Sequence, residues 1–346
     1  MASVRVPAAD DFNLPHGKAL VTGCAGFIGS RLVERLLYDG TTVVGIDSFT
    51  DYYAREMKKA NLRRFRDHPG FTFRRLDLSR EALRELLTDI DVVYHLAGQP
   101  GVRSSFGIGF SKYVRHNIEA TQRLLHAAID QPIQAFVYAS SSSVYGDDNV
   151  YPTPEDAPRY PRSPYGMTKV AVEELAGVYL RNNGVPAVGL RYFTVYGPGQ
   201  RPDMAFARFT SQLLAGHQLT VFGDGSQVRE FTYVDDAVRA TIAAAVHGRP
   251  GAIYNVGGGR PVELREAYAL LAEILERQVD VLTLPPAPGD VHRTGADGTL
   301  AREVLGFRPE IGLEDGLRSQ VNAALRELPK ARRRARRWYL ELGAGS

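Results

Sequence analysis

Short apolar runs alternate with helical patterns along the first part of the chain. Runs at 18–22, 41–46, 71–76, 91–97, 134–139 and 185–191 predict six strands. The stretch 30–37 predicts a helix directly after the first strand, and helical patterns fill the other gaps. Strand–helix alternation of this kind implies an α/β fold, a doubly wound parallel sheet. Ligands of such a sheet sit at the carboxyl ends of its strands. Beyond about residue 198 the order loosens. Pro and Gly cluster at 196–202, and helices and shorter strands then alternate to 325. There is no clear linker, repeat or low-complexity block. The expected division is a sheet domain over 17–198, to which later segments return, a smaller α/β substrate-binding lobe mainly over 199–325, and a basic tail over 326–346.

Composition changes this picture little. The 346 residues are 44% hydrophobic and 23% charged, ordinary for a globular protein. The single cysteine, Cys24, excludes an intramolecular disulfide and fits a reducing compartment. No apolar run reaches membrane-spanning length, and residues 1–17 lack a signal-peptide core. A cytoplasmic protein without a membrane partner is therefore expected. The net charge of +3 comes from residues 330–337, which hold six cations and no acid. Such a run could touch nucleic acid or an anionic surface, but it reads better as a solvated helix face, so no nucleic-acid partner is expected.

The candidate chemistry starts at the first strand end. Gly23, Gly26 and Gly29 stand between the strand 18–22 and the helix 30–37. That spacing serves a tight turn, close backbone approach to a pyrophosphate, and close helix–strand packing. The helix N-terminus adds N–H groups and the positive end of a dipole. Strand, turn and helix in this order form the context in which the motif binds a dinucleotide. Asp47 ends the second strand, where a carboxylate binds the adenosine ribose diol. Its charge repels a 2′-phosphate, so NAD is expected rather than NADP. No metal is expected.

Tyr165 and Lys169 lie four apart and share one helix face. A free phenol, with a pKa near 10, is a poor base at neutral pH. A neighbouring ammonium is expected to lower it. The lowered phenol could then take a proton from a substrate hydroxyl as hydride leaves the same carbon. The serine run 140–143 precedes this pair.

With these residues the chain resembles the extended short-chain dehydrogenases/reductases of the nucleotide-sugar epimerase/dehydratase type. Segments 21–30, 95–97, 138–146, Tyr165 with Lys169, 191–198 and 229–236 carry the resemblance, which covers nearly all of 17–325. Segments 47–53, 99–104 and 199–204 make it most similar to the UDP-glucuronate 4-epimerases. The resemblance implies that Gly23, Gly26, Phe27, Ile28, Gly29 and Asp47 hold NAD. It places Asp77 and Leu78 along the adenine, Ala97 and Gln99 along the cofactor backbone, and Lys169 on the nicotinamide ribose. Ser141, or a neighbour in its run, would share the sugar O4 proton with Tyr165. Thr194 and Arg201 would contact sugar or diphosphate, Phe222 the uracil, Arg229 a phosphate and Asp290 the uridine ribose. Phe222 reads equally as plain core, and Arg229 has a surface ion pair as its alternative.

The implied reaction is C4 epimerisation of a UDP-hexuronic acid through a 4-keto sugar, with NAD regenerated each turnover. Oxidation at C4 leaves the C6 carboxylate β to a ketone and open to loss as CO₂. Ser142, Ser143 and Thr194 could hold that carboxylate in a poor geometry for loss, with Arg103 and Arg201 as anion partners or as diphosphate ligands. Segment 222–229 resembles the general nucleotide-sugar form, and His292 and Arg293 stand where small residues are common. Both put the substrate in question. A UDP-glucose or UDP-N-acetylglucosamine 4-epimerase is the alternative, followed by a decarboxylase and by a non-catalytic NAD sensor. The serine run carries no carboxyl group, which disfavours a 4,6-dehydratase. The resemblance further implies a homodimer that packs the helices of 111–130 and 165–181 as a four-helix bundle.

Overall fold

The computed structural model describes residues 17–147 and 150–332, with side chains to 326. Most of the lead-in and most of the basic run lie outside the described residues. The large sheet contains β1 (Lys18–Thr22), β2 (Thr42–Ile46), β3 (Phe71–Arg74), β4 (Val92–His95), β5 (Ala135–Ser141) and β6 (Ala187–Tyr192). Its spatial order is β3-β2-β1-β4-β5-β6, all parallel. This is the doubly wound Rossmann order, and the chain reverses direction across the sheet between β1 and β4.

Successive side chains of these strands enter different cores. Ala19 and Val21 pack into one cluster with Leu32, Val33 and Leu36 of α1 (Phe27–Tyr38). Leu20 packs into another with Leu124 and Leu125 of α4 (Ala120–Ala127) and Val172 of α5 (Pro164–Asn183). Alternation along a strand with helices on both faces buries every residue of β6. Among the other helices are α2 (Arg55–Arg63) and α3 (Phe110–Tyr113). A π-helical stretch, Val114–Glu119, runs from α3 into α4.

The strand ends differ from the pattern in the sequence. β5 runs two residues past 139, because Ser140 and Ser141 still pair with Arg191 and Tyr192. β6 begins at Ala187 rather than 185, since Pro186 has no N–H to give a ladder. Helix α5 begins at its cap. The Ser163 hydroxyl accepts from Gly166 N at 3.1 Å, with Pro164 in the first turn. It ends at Gly184, φ 70°, a left-handed C-cap.

The remaining chain builds β7 (Thr194–Tyr196), α6 (Ala205–Ala215), β8 (Leu219–Phe222) and β9 (Val228–Tyr233). It then returns to the large sheet through α7 (Val234–His247), which packs on α1, and β10 (Ile253–Val256), a seventh parallel strand beside β6. β11 (Pro261–Glu263), α8 (Leu264–Ile274), β12 (Val281–Leu284), α9 (Thr299–Leu305) and α10 (Leu313–Arg332) follow. β9 pairs with β7 and β11, and β8 pairs with β12. Among the described residues no helix is long and apolar enough to cross a membrane.

Candidate active site

The turn between β1 and α1 depends on its glycines. Gly23 has φ 71° and its N–H reaches Ile46 O at 2.7 Å. A Cβ on Gly29 would lie 2.2 Å from Gly23 O, and one on Gly23 would lie 2.9 Å from Ala97 N. Gly26 caps α1 without a side-chain hydrogen bond, so the helix N-terminus faces the cleft with no competing side-chain acceptor. Gly23, Gly26, Phe27, Ile28, Gly29, Asp47, Asp77, Leu78, Ala97 and Gln99 all line this one cleft, joined by Arg201. These residues fit a dinucleotide: an open helix end, a bare backbone and an acid at the next strand end.

The structure also adds what the sequence did not single out. Lys58 of α2 is buried and pairs with Asp47 at 3.6 Å. Asp47 further accepts the N–H groups of Phe49 at 2.8 Å and Ala25 at 3.3 Å. Tyr52 and Tyr53 line the same cleft. The basic character of 55–66 was the available signal, but nothing in its spacing distinguishes Lys58 from Lys59.

Tyr165 and Lys169 share one face of α5, with Lys169 Nζ 5.9 Å from the Tyr165 ring centre. Lys169 Nζ donates to Ala139 O at 2.8 Å. Burial lowers the Lys169 pKa to about 8, against the pull of Glu173. Tyr165 departs from expectation. Desolvation pushes its phenol up, and the hydrogen bond with Ser141 and the charge of Arg201 only partly oppose this. The ammonium one turn away does not reverse this, because desolvation of the phenol outweighs the charges around it. The Tyr113 ring packs edge-on against Tyr165 at 6.3 Å.

The serines divide their duties. Ser141 Oγ donates to Ser143 Oγ at 3.1 Å and accepts from Ser143 N at 3.2 Å. Ser142 and Ser143 form a short 3-10 turn, Ser142–Val144, and both are half-buried. Ser140 turns to the opposite side and donates to Glu173 at 2.5 Å.

On the substrate side, Thr194 opens β7. Arg201 forks onto Asp203 through two hydrogen bonds of 3.0 Å. It lines the cofactor cleft, and its charge opposes the rise of the Tyr165 phenol. Arg103 stacks on Phe222 at 3.8 Å and pairs with Asp290 at 2.7 Å. Phe222 is therefore not plain core; it is half-buried, with a second guanidinium, Arg208, 5.6 Å from its ring centre. Arg208 Nε is buried with no hydrogen-bond partner among the described residues. Among the described residues Arg229 makes no surface ion pair. It donates to Val228 O, Val291 O and His292 O at 2.8, 2.6 and 3.1 Å. The backbone N–H groups of His292 and Arg293 both reach Asp147, and the Arg293 side chain stacks on Tyr151.

Comparison with known proteins agrees with this geometry. Residues 19–257 match the model of the NAD dependent epimerase/dehydratase family. An uncharacterized UDP-glucose epimerase of Bacillus subtilis is 43% identical over 88% of this chain and 96% of its own length. A UDP-glucuronate 4-epimerase of Thermodesulfobacterium geofontis is 37% identical over 88% and 95%. The crystal structure of a UDP-glucuronic acid 4-epimerase from Bacillus cereus, in complex with UDP-glucuronic acid and NAD, superposes with a TM-score of 0.87 at 42% identity. That match covers 89% of this chain and 99% of the other. With the glycine turn, the Tyr165–Lys169 pair and a family match across most of its length, the chain belongs to the NAD dependent epimerase/dehydratase family.

Proposed function

We propose that this enzyme interconverts UDP-glucuronate and UDP-galacturonate by epimerisation at C4. The observation that carries the reading is that Lys169 reaches Ala139, a residue of the cofactor cleft that Arg201 also lines, with Ser141 two residues further along β5 and the hydroxyls of Ser142, Ser143 and Thr194 in adjoining segments. The similarity to the Bacillus cereus enzyme supports the acidic sugar.

NAD, held by the glycine turn, Asp47 and Lys169, supplies the hydride acceptor and donor for sugar C4. Tyr165 takes the O4 proton and later returns it to the opposite alcohol. Ser141 shares that proton and orients the hydroxyl. Lys169, charged below a pKa of about 8, binds the nicotinamide ribose. The 4-keto sugar turns over while the nucleotide stays anchored. Arg103, Arg229 and Asp290 serve that anchor, and Phe222 offers its ring to the uracil. Arg201, Ser142, Ser143 and Thr194 hold the C6 carboxylate so that the C5–C6 bond stays out of line with the carbonyl π system, which prevents loss of CO₂. The division into a cofactor domain over 17–198 and a substrate lobe over 199–325 follows the same assignment. The exposed Val114, Met167 and Val178 support a dimer through the long helices on that face.

Incubation with UDP-glucuronate, UDP-glucose and UDP-N-acetylglucosamine, with products identified by NMR, tests the reading. A site with donors placed for a carboxylate leaves them unpaired with a neutral sugar, so UDP-glucuronate should be converted far more efficiently. Preference for UDP-glucose would favour the neutral-hexose epimerase that the Bacillus subtilis relative's name suggests. Mainly CO₂ and a pentose would make the protein a decarboxylase.

A further inference from the structure

Helix α5 meets the end of β5 in three successive turns. The Tyr165 phenol lies beside the Ser141 hydroxyl, Lys169 Nζ donates to Ala139 O at 2.8 Å, and Glu173 accepts from Ser140 Oγ at 2.5 Å. Residues 165, 169 and 173 are spaced four apart, so they form one stripe along the helix. The third contact is the most heavily built. The Glu173 side chain is 1% exposed. Arg191 forks onto it through Nε and an Nη, each at 2.8 Å, and Arg159 approaches at 3.3 Å. Arg191 stands on β6 directly beside Ser140 in the strand register. Glu173 thus grips two neighbouring strands at one level. Arg191 is fixed in turn by Tyr145 Oη at 2.8 Å and Glu155 O at 2.7 Å, and Tyr145 donates to Asn255 of β10 at 2.7 Å.

A buried, satisfied ion pair of this kind adds little net stability compared with an apolar replacement. What it does well is forbid alternatives. A forked guanidinium and a serine together fix one carboxylate to well under a residue's rise. We propose that Glu173 is a positioning residue for the reaction: it holds α5 in axial register, so that Tyr165 and Lys169 meet the strand end, and its charge keeps Lys169 protonated.

Lys169 is buried among Tyr165 and Glu173 on its own helix, Ala139 on β5, and His95 and the Gly98–Asn117 corner beside β4. His95 is neutral there, since burial and the Lys169 charge hold its pKa near 3. Tyr165 is un-ionised in its resting form. Arg191 approaches Glu173 from β6, the strand beyond β5. Glu173 is therefore the one anion among the described groups facing Lys169. Removing its charge should favour neutral Lys169 and so move the loss of activity to lower pH.

The turnover arm of the test rests on the proposed reaction; the other arm does not. The protein, with its bound dinucleotide, is labelled at lysine Cε, and the Lys169 resonance is assigned by its loss in Lys169→Arg. In Glu173→Gln the titration midpoint of Lys169 should fall by roughly one pH unit. The alkaline limb of kcat for the UDP-sugar should fall with it, kcat at neutral pH should drop about 10-fold or more, and KM should change little. Glu173→Asp keeps the charge and should keep the midpoint close to wild type while lowering kcat through the shorter reach. If Glu173→Gln does not fold, the pair Glu173→Gln with Arg191→Gln removes both charges; the midpoint should still fall, but by less, because the opposing cation of Arg191 is lost as well. An unmoved Lys169 midpoint in the folded variant overturns the proposal, whatever happens to turnover. A wild type that turns over no UDP-sugar defeats the proposed reaction instead, and the lysine titration still decides the role of Glu173.

Discussion

The first turn of α1 and the Arg103–Phe222–Asp290 corner are both proposed to bind a nucleotide, the cofactor's pyrophosphate at the turn and the uridine part of the UDP-sugar at the corner, yet they are made of different material. The glycine turn offers backbone. Gly26 gives its helix no side-chain cap, and of the turn's N–H groups Asp47 takes that of Ala25. The corner offers long side chains that already have partners: Arg103 with Phe222 and Asp290, Arg229 with three carbonyls. A ligand entering the turn meets a finished surface. A ligand entering the corner must exchange one set of contacts for another, and its binding carries that cost. The difference explains why a glycine turn is a sharp signal in sequence, while the corner shows only as scattered arginines.

The proposed proton-transfer residue, Tyr165, should give the largest effect, since the proposed chemistry runs through its hydroxyl. Tyr165→Phe keeps the ring and removes the ionisable oxygen. Turnover should fall by roughly 10²- to 10⁴-fold, while dinucleotide and UDP-sugar binding, measured by calorimetry, stay close to wild type. Near-normal turnover would remove Tyr165 from its role.

Next comes the rigid region. In Gly29→Ala the new Cβ would sit 2.2 Å from Gly23 O, so the turn itself must move. A shift near 1 Å can cost about 10²-fold. Purified Gly29→Ala should retain less dinucleotide by absorbance and turn over about 10²-fold more slowly unless cofactor is added in excess. Full retention would show that the turn is as adaptable as the corner.

The smallest effect belongs to the adaptable region. Arg103 is exposed at 43%, and a stack at such a site is worth about 0.5–1 kcal/mol. Arg103→Ala should raise KM for the UDP-sugar about twofold to fivefold and leave kcat unchanged, because the loss of a ligand contact is offset by the freeing of Phe222 and Asp290. A hundredfold rise in KM would place Arg103 among the rigid parts of the site and erase the contrast.

Legibility followed sequence distance. Tyr165 and Lys169 are a turn apart, and Gly23, Gly26 and Gly29 fall within one loop, so local spacing carried their meaning. Asp47 was readable because the strand before it is. Lys58 was missed, since only the folded path of α2 brings it under Asp47. Glu173 was missed for the same reason. It is an ordinary helix residue until Ser140, Arg159 and Arg191 arrive from other elements. The expected lowering of the Tyr165 phenol failed because spacing reveals a neighbouring charge but not desolvation, and here desolvation outweighs it.

The sequence alone determined the doubly wound sheet, the dinucleotide turn and the pairing of Tyr165 with Lys169 on one helix face, all of which arise from contacts within a few residues or from a repeated period. Tertiary structure decided which charges are paired and which groups are dry. Arg103 finds Asp290 across 187 positions, and Arg191 reaches Glu173 only because β6 lies beside β5. Ion pairing and desolvation depend on distance and exclusion of water in space, and neither is written in the order of residues along the chain.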